Sequence, residues 1–182
     1  DFQRIRADLT AQGVRFSSKS DSEILLRLYQ RQGLEATLPL LRGEFAFALF
    51  DRADDCLYLV RDRFGIKPQY WAMTPEGLVF GSELKVLFAH PAVERRFTSE
   101  GLFHQLMQTM VPGTTAFAGV HQVKPGHVLK VQRVNGHLEV SESTYWDVDF
   151  PRKDERDPKR TEADHIAAVR AALLEAVELR MV

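Results

Sequence analysis

An α+β fold, with antiparallel hairpins covered by helices, is the class this sequence predicts. Three observations carry that expectation. Apolar residues recur at helical spacing as far as Leu41, and the period changes to two from Glu44. Asn135-Gly136 lies between two strand-like runs, the strongest short hairpin signal. Pro75-Glu76-Gly77 separates two more short apolar runs and reads as a second hairpin turn.

The elements follow in order. Phe2, Ile5 and Leu9 make a helical face, with Gly13 placed as a C-cap glycine. Val14 to Ser17 reads as a short strand. Ser20-Asp21-Ser22-Glu23 has the S-x-x-E form of a capping box. Behind it Ile24, Leu25, Leu28 and Tyr29 form an apolar face that ends near Gly33, and Leu34 to Leu41 continue as a shorter helix stopped by Gly43. From Glu44, Phe45, Phe47 and Leu49 alternate with Ala46, Ala48 and Phe50. Both faces are apolar, which predicts a central strand covered on both sides. Asp51 to Asp55 is a polar turn and Leu57 to Val60 the return strand. Arg61 to Pro68 is a charged turn. Gln69 to Met73 and Leu78 to Gly81 are strands, and Ser82 is expected to cap a helix running to Phe88. Thr98-Ser99 opens another helix with Leu102, Phe103 and Leu106. Val128 to Arg133 and Leu138 to Val140 flank the Asn-Gly turn.

Composition then shifts. Residues 152–160 are nearly all charged, with both signs mixed and Pro151 and Pro158 as brackets, a linker signature. Thr161-x-x-Asp164 opens a last helix bearing Ile166, Val169, Leu173 and Val177 on one face. This amphipathic helix has no partner in the sequence and reads as the start of a second domain. The chain begins at Asp1 and ends in Met181-Val182, so both ends are expected to be cuts in a longer protein.

Composition excludes several function classes. The 182 residues are 45% apolar and 27% charged, ordinary globular values that argue against wholesale disorder. Lys plus Arg number 24 against 25 Asp plus Glu, which removes the electrostatic case for nucleic acid or an acidic membrane surface. There is no run of about 18 apolar residues to span a bilayer. One cysteine excludes an internal disulfide and a Cys-rich zinc site, and it fits a cytoplasmic setting. None of the six histidines has metal-ligand spacing, so no metal site is expected. Cys56 follows Asp54-Asp55, and neighbouring carboxylates disfavour a thiolate, so it is expected to be structural.

Two segments carry candidate chemistry. Asp21 stands in the first turn of a helix, where a carboxylate stabilises the positive dipole end by about 0.3–1 kcal/mol. It could also receive a ligand ammonium group, but the residues alone favour the first role. Arg61-Asp62-Arg63-Phe64-Gly65-Ile66-Lys67-Pro68 is either a solvated turn or a structured loop in which Arg and Asp make fixed hydrogen bonds.

Longer motifs are more specific. Gly43 to Asp51 (GEFAFALFD), Arg61 to Pro68 (RDRFGIKP) and Phe80 to Lys85 (FGSELK) resemble the glutaminase domain of glutamine-dependent asparagine synthetases. Val111 to Val120 (VPGTTAFAGV), Lys124 to His127 (KPGH) and Tyr145 to Phe150 (YWDVDF) agree in order and spacing. The resemblance implies an Ntn-hydrolase-type sandwich of antiparallel sheets between helices. It implies residues 1–150 as the later part of that domain, 151–160 as a linker, and 161–182 as the first helix of a truncated synthetase domain. It also implies an N-terminal cysteine nucleophile, activated by its own α-amino group, that hydrolyses the side-chain amide of glutamine. Ammonia would then pass to the second domain, where ATP and Mg²⁺ activate aspartate or another carboxylate. The nucleophile, the arginine loop and the oxyanion residues have no counterpart in this chain, so the chain alone is expected to be inactive and to need no cofactor. Ser20-Asp21 matches the family position that pairs with the α-ammonium of glutamine, which reverses the preference at Asp21. A homodimer is compatible with the resemblance. Two alternatives stay open: an inert scaffold domain, as in proteins resembling β-lactam synthetases, and an N-terminal-Cys amidotransferase coupled to a sugar or phosphoribosyl domain.

Overall fold

The computed structural model describes residues 2–109, 111–155 and 159–181. They form two compact units, 1–147 and 148–182.

In the first unit, α1 (Phe2–Ala11) and α2 (Asp21–Thr37) precede a 3₁₀ turn at Leu38–Leu40. Helix α2 is broken at Gly33, where φ 76 and ψ 177 leave the helical region, so the shorter second helix is there as expected. Strands β1 (Ala46–Asp51), β2 (Cys56–Arg61), β3 (Tyr70–Thr74) and β4 (Gly77–Gly81) follow. Then come α3 (Leu84–Leu87), α4 (Ser99–Leu106), β5 (Val120–Gln122), β6 (His127–Val134) and β7 (His137–Thr144). One sheet has the order β1-β2-β6-β7 and the other β4-β3-β5, with antiparallel pairs throughout.

The period of two decides the layering. On β2, Leu57 and Leu59 join Leu129, Val131, Val123, Trp71 and Leu78 in the core between the two sheets. Their alternates Tyr58 and Val60 pack with Val128, Leu34, Leu38 and Leu41 on the helical side. On β3, Tyr70 and Ala72 face away from Trp71 and pack with Leu84, Leu87 and Phe88. Helices α1 and α2 share their own cluster of Leu9, Ile24 and Leu28. The result is helix, sheet, sheet, helix, the expected sandwich.

The structure corrects four expectations. Val14 to Ser17 is not a strand: Val14 N donates back to Leu9 O at the end of α1, and Ser17 and Ser18 give their backbone N–H groups to the Glu23 carboxylate at 2.8 and 2.7 Å. There is a cap at Ser20 but no capping box, because Glu23 reaches past the cap residue to that loop while Ser20 Oγ accepts from Ser22 N. Strand β1 is not central; it is an edge strand among the described residues, with Phe50 55% exposed. Ser82 is not a cap: Glu83 stays extended at φ −133, so α3 starts after it and holds only four residues. Strand β5 escaped the sequence reading because three residues are too few to show a period.

In the second unit a 3₁₀ turn spans Lys153–Glu155, and residues 156–158 of the charged segment, with Pro158, lie outside the described residues. Helix α5 (Glu162–Glu178) opens at Thr161 as expected, and the structure adds a capping box between Thr161 and Asp164. Ile166, Val169, Leu173 and Val177 are each more than half exposed. No helix among the described residues is long and apolar enough to cross a membrane.

Candidate functional site

Asp21 is the first residue of α2, directly after the N-cap Ser20. Its side chain is exposed, and its described contacts are two hydroxyls, Ser20 Oγ and Ser22 Oγ, each 3.5 Å from Oδ1. The carboxylate therefore keeps most of its acceptor capacity at the positive end of a helix.

The preceding loop is held from two sides. Arg6 of α1 donates through Nη1 to Ser18 O at 2.8 Å and through Nη2 to Ser20 O at 2.7 Å. The same guanidinium lies 4.4 Å above the Phe16 ring centroid. Glu23 of α2 accepts from Ser17 N, Ser18 N and Ser18 Oγ at 2.7–2.8 Å, and from Arg27 at 3.2 Å. The Ser17 amide foremost, with the Ser18 hydroxyl, holds the Glu23 carboxyl down at about 2. In the sequence Glu23 has the spacing of a cap partner, and nothing local marks Arg6, whose role depends on contacts 12–14 residues away.

A second structured region gathers three of the quoted motifs. Arg61 and Asp62 are 6% and 1% exposed, so the 61–68 segment is a built loop and not a solvated turn. Asp62 Oδ1 accepts from Phe64 N and Ile66 N at 3.1 and 3.0 Å, and Oδ2 accepts from Lys67 N at 2.9 Å. Arg61 donates to Lys67 O, Gly65 O and Val123 O. Burial pushes the Arg61 pKa down. The Lys124 to His127 turn locks on through Gly126 N, which donates to Asp62 O at 2.9 Å. Tyr145 N and Trp146 N donate to Gly126 O, and Tyr145 Oη donates to Arg61 O at 2.8 Å. Burial raises the Tyr145 phenol to about 12. His127 is spent on structure, with Nδ1 2.7 Å from Pro125 O and Nε2 3.0 Å from Thr144 Oγ1. Phe64, 70% exposed, stands 5.1 Å from the Trp146 ring on the outside of this knot.

Cys56 is fully buried in β2, opposite Asp51 and Gln132, so it is not placed to attack a substrate. His121 is stacked on Trp71 at 4.6 Å, and burial lowers its pKa. Both border an open cavity of about 310 Å³ at the mouth between the sheets, which Asp21 does not line. No group of three or more His, Cys, Asp or Glu among the described residues is arranged to hold a metal ion.

Comparison with known proteins agrees with the sandwich. The structure of the allosteric regulatory enzyme of purine biosynthesis superposes on 76% of this chain and 25% of its own, with a TM-score of 0.51 and 18% identity. The glutamine phosphoribosylpyrophosphate amidotransferase of B. subtilis, complexed with ADP and GMP, gives the same TM-score and identity over 76% and 26%. At that identity the likeness speaks for the Ntn-type fold alone. In sequence, the amidase chry2 of Gibberella zeae is 38% identical over all of this chain and 26% of its own length. Asparagine synthetase [glutamine-hydrolyzing] 3 of Bacillus subtilis is 32% identical over 98% of this chain and 28% of its own. The amidase chyE of Penicillium rubens is 36% identical over 96% and 25%. The chain thus spans about a quarter of the length of these curated relatives. The profile of the glutamine amidotransferase domain matches residues 1–146, nearly the whole of the first compact unit. The chain belongs to the glutamine amidotransferase domain family.

Proposed function

We propose that this chain is part of a glutamine-hydrolysing, ATP-dependent amidotransferase of the asparagine synthetase type, and that Asp21 receives the α-ammonium group of glutamine. The match of residues 1–146 to the glutamine amidotransferase domain carries the reading. The exposed Asp21 carboxylate, at the start of α2 directly after a clamped loop, supports its binding half. In the proposed reaction a thiolate attacks the glutamine side-chain carbonyl, the C–N bond breaks, and ammonia leaves as the thioester forms. Water then releases glutamate and regenerates the thiol. The buried Cys56 is not that thiol. The nucleotide and Mg²⁺ chemistry belongs, in this proposal, to the synthetase domain of the full-length protein that the resemblance implies. There ATP would activate the acceptor carboxylate for attack by ammonia. Relatives named as amidases stand beside asparagine synthetases, which favours testing carboxylates other than aspartate.

The test is glutamate release by the full-length protein supplied with glutamine, ATP, Mg²⁺ and aspartate, with asparagine and alternative amides followed by mass spectrometry. Glutamate formed in step with an amide product supports the proposal. Amide formation from ammonia with no glutamate release from glutamine would favour the scaffold alternative.

A further inference from the structure

We propose that Arg6 and Glu23 are positioning residues for glutamine use, acting as a two-sided clamp that presents Asp21. The inference rests on the reading of Asp21 as the ammonium-binding residue.

The sequence makes the clamp necessary. Ser17-Ser18-Lys19-Ser20 is polar, exposed and outside any strand or helix, so it has no ladder or apolar anchor of its own. Such a segment orders only where its backbone groups find partners. Here they come from the two flanking helices with opposite polarity. Glu23 takes the N–H groups of Ser17 and Ser18, and Arg6 takes the carbonyls of Ser18 and Ser20. Ser20 N closes the set by donating to Ser18 Oγ at 3.2 Å, a hydroxyl that itself donates to Glu23. Phe16, under the Arg6 guanidinium, fixes the start of the loop, and Ser20, the helix cap, is its end. Asp21 follows without a linker. Its direction is set by the Ser20 backbone (φ −66, ψ 142), and Arg6 holds the carbonyl of that residue.

Arg6 suits this task in a way Lys does not. Its planar fork spans two carbonyls at once, whereas an ammonium is a point donor. Glu23 stays ionised at any pH near neutrality, because its carboxyl is held near 2 by the loop it grips. Neither residue contacts Asp21 in the described hydrogen bonds, so each acts through the backbone.

A loosened loop populates the binding-competent arrangement for only a fraction of the time, and apparent affinity falls by that fraction. If Arg6→Gln or Glu23→Gln lowers the fraction to about 5–20%, KM for glutamine rises about 5–20-fold while kcat is largely kept. Ammonia-dependent synthesis does not pass through this pocket and stays within about twofold.

The experiment compares Arg6→Gln, Arg6→Lys, Glu23→Gln and Asp21→Asn in the full-length protein, with glutamine and with ammonium chloride as nitrogen sources. Hydrogen exchange at Ser17 and Ser18 is read in parallel. The clamp predicts a raised glutamine KM with kcat retained, faster exchange at both serines, a partial effect for Arg6→Lys, and unchanged use of ammonia. If Asp21→Asn weakens glutamine use while the Arg6 and Glu23 variants keep a KM within twofold, the clamp is wrong and the reading of Asp21 stands. An Asp21→Asn enzyme unchanged with glutamine would remove that reading and the clamp with it. Equal losses with both nitrogen sources in the clamp variants, including Arg6→Lys, would make these residues merely structural and overturn the proposal.

Discussion

Replacing Asp62 by alanine should be among the most damaging single changes in this chain. The carboxylate is 1% exposed and accepts three backbone N–H groups, from Phe64, Ile66 and Lys67, at 2.9–3.1 Å. Alanine leaves those donors without their acceptor inside a loop whose carbonyls are engaged by Arg61. The three bonds are part-buried, and a hydrogen bond to a charged acceptor contributes about 1.5–3 kcal/mol. The parts are coupled, so a lower sum of about 3–5 kcal/mol applies in place of three full contributions. For a domain of this size that is a drop in Tm of about 6–20 °C. Asp62→Asn keeps Oδ1 for Phe64 and Ile66 but turns an NH₂ toward Lys67 N, so its loss should lie between wild type and alanine. Calorimetric unfolding of the full-length protein gives the magnitude, and hydrogen exchange at Phe64, Ile66 and Lys67 gives the location. An Asp62→Ala protein that loses less than about 1 kcal/mol, with those three amides still protected, would refute the reasoning.

Three other expectations follow from the same geometry. Gly126→Ala should destabilise by more than about 2 kcal/mol in thermal unfolding, since φ is +67 and the new Cβ would sit 2.2 Å from Trp146 O. Tyr145→Phe should cost about 1 kcal/mol by losing the bond to Arg61 O. Because the native phenol is raised to about 12 from 10, its contribution is complete below pH 10 and fades as pH climbs toward 12, visible in a spectroscopic phenolate titration. Glu23, lowered to about 2 from 4.5, acts in the opposite sense: its contribution is complete above pH 4.5 and is lost as pH falls through 2, measurable as Ser17 and Ser18 exchange.

The helices and hairpins were legible because they rest on local periodicity and turn chemistry, while the sandwich of two sheets came from the resemblance. The alternation of Leu57 and Leu59 with Tyr58 and Val60 sorts one β2 face to the inter-sheet core and the other to the helices. Asn135 and Gly136 both adopt positive φ, at 50 and 83, as their hairpin turn requires. What the sequence hid is long-range or competitive. An all-apolar strand such as β1 signals burial but not its rank in the sheet, so its edge position could not be read. Glu23 had two sets of donors within reach, its own cap and the loop before it, and took the loop. Arg61 and Asp62 could be seen as unusual, but that they tie the RDRFGIKP, KPGH and YWDVDF segments into one knot needed three dimensions. The position of Asp21 at the start of α2 was readable from its capping serine. Its proposed partner came from resemblance and not from pattern.

The central claim, that Asp21 binds the ammonium group of glutamine, is tested most directly by Asp21→Asn in the full-length protein assayed with both nitrogen sources. Asparagine keeps the shape and much of the helix-initiating ability of aspartate, so the fold should survive. Losing a charge-assisted contact costs about 1.5–3 kcal/mol, which predicts a fall of about ten- to a hundredfold in kcat/KM for glutamine with ammonia-dependent synthesis nearly unchanged. An equal fall with glutamine and ammonia, or no fall with either, would contradict the account.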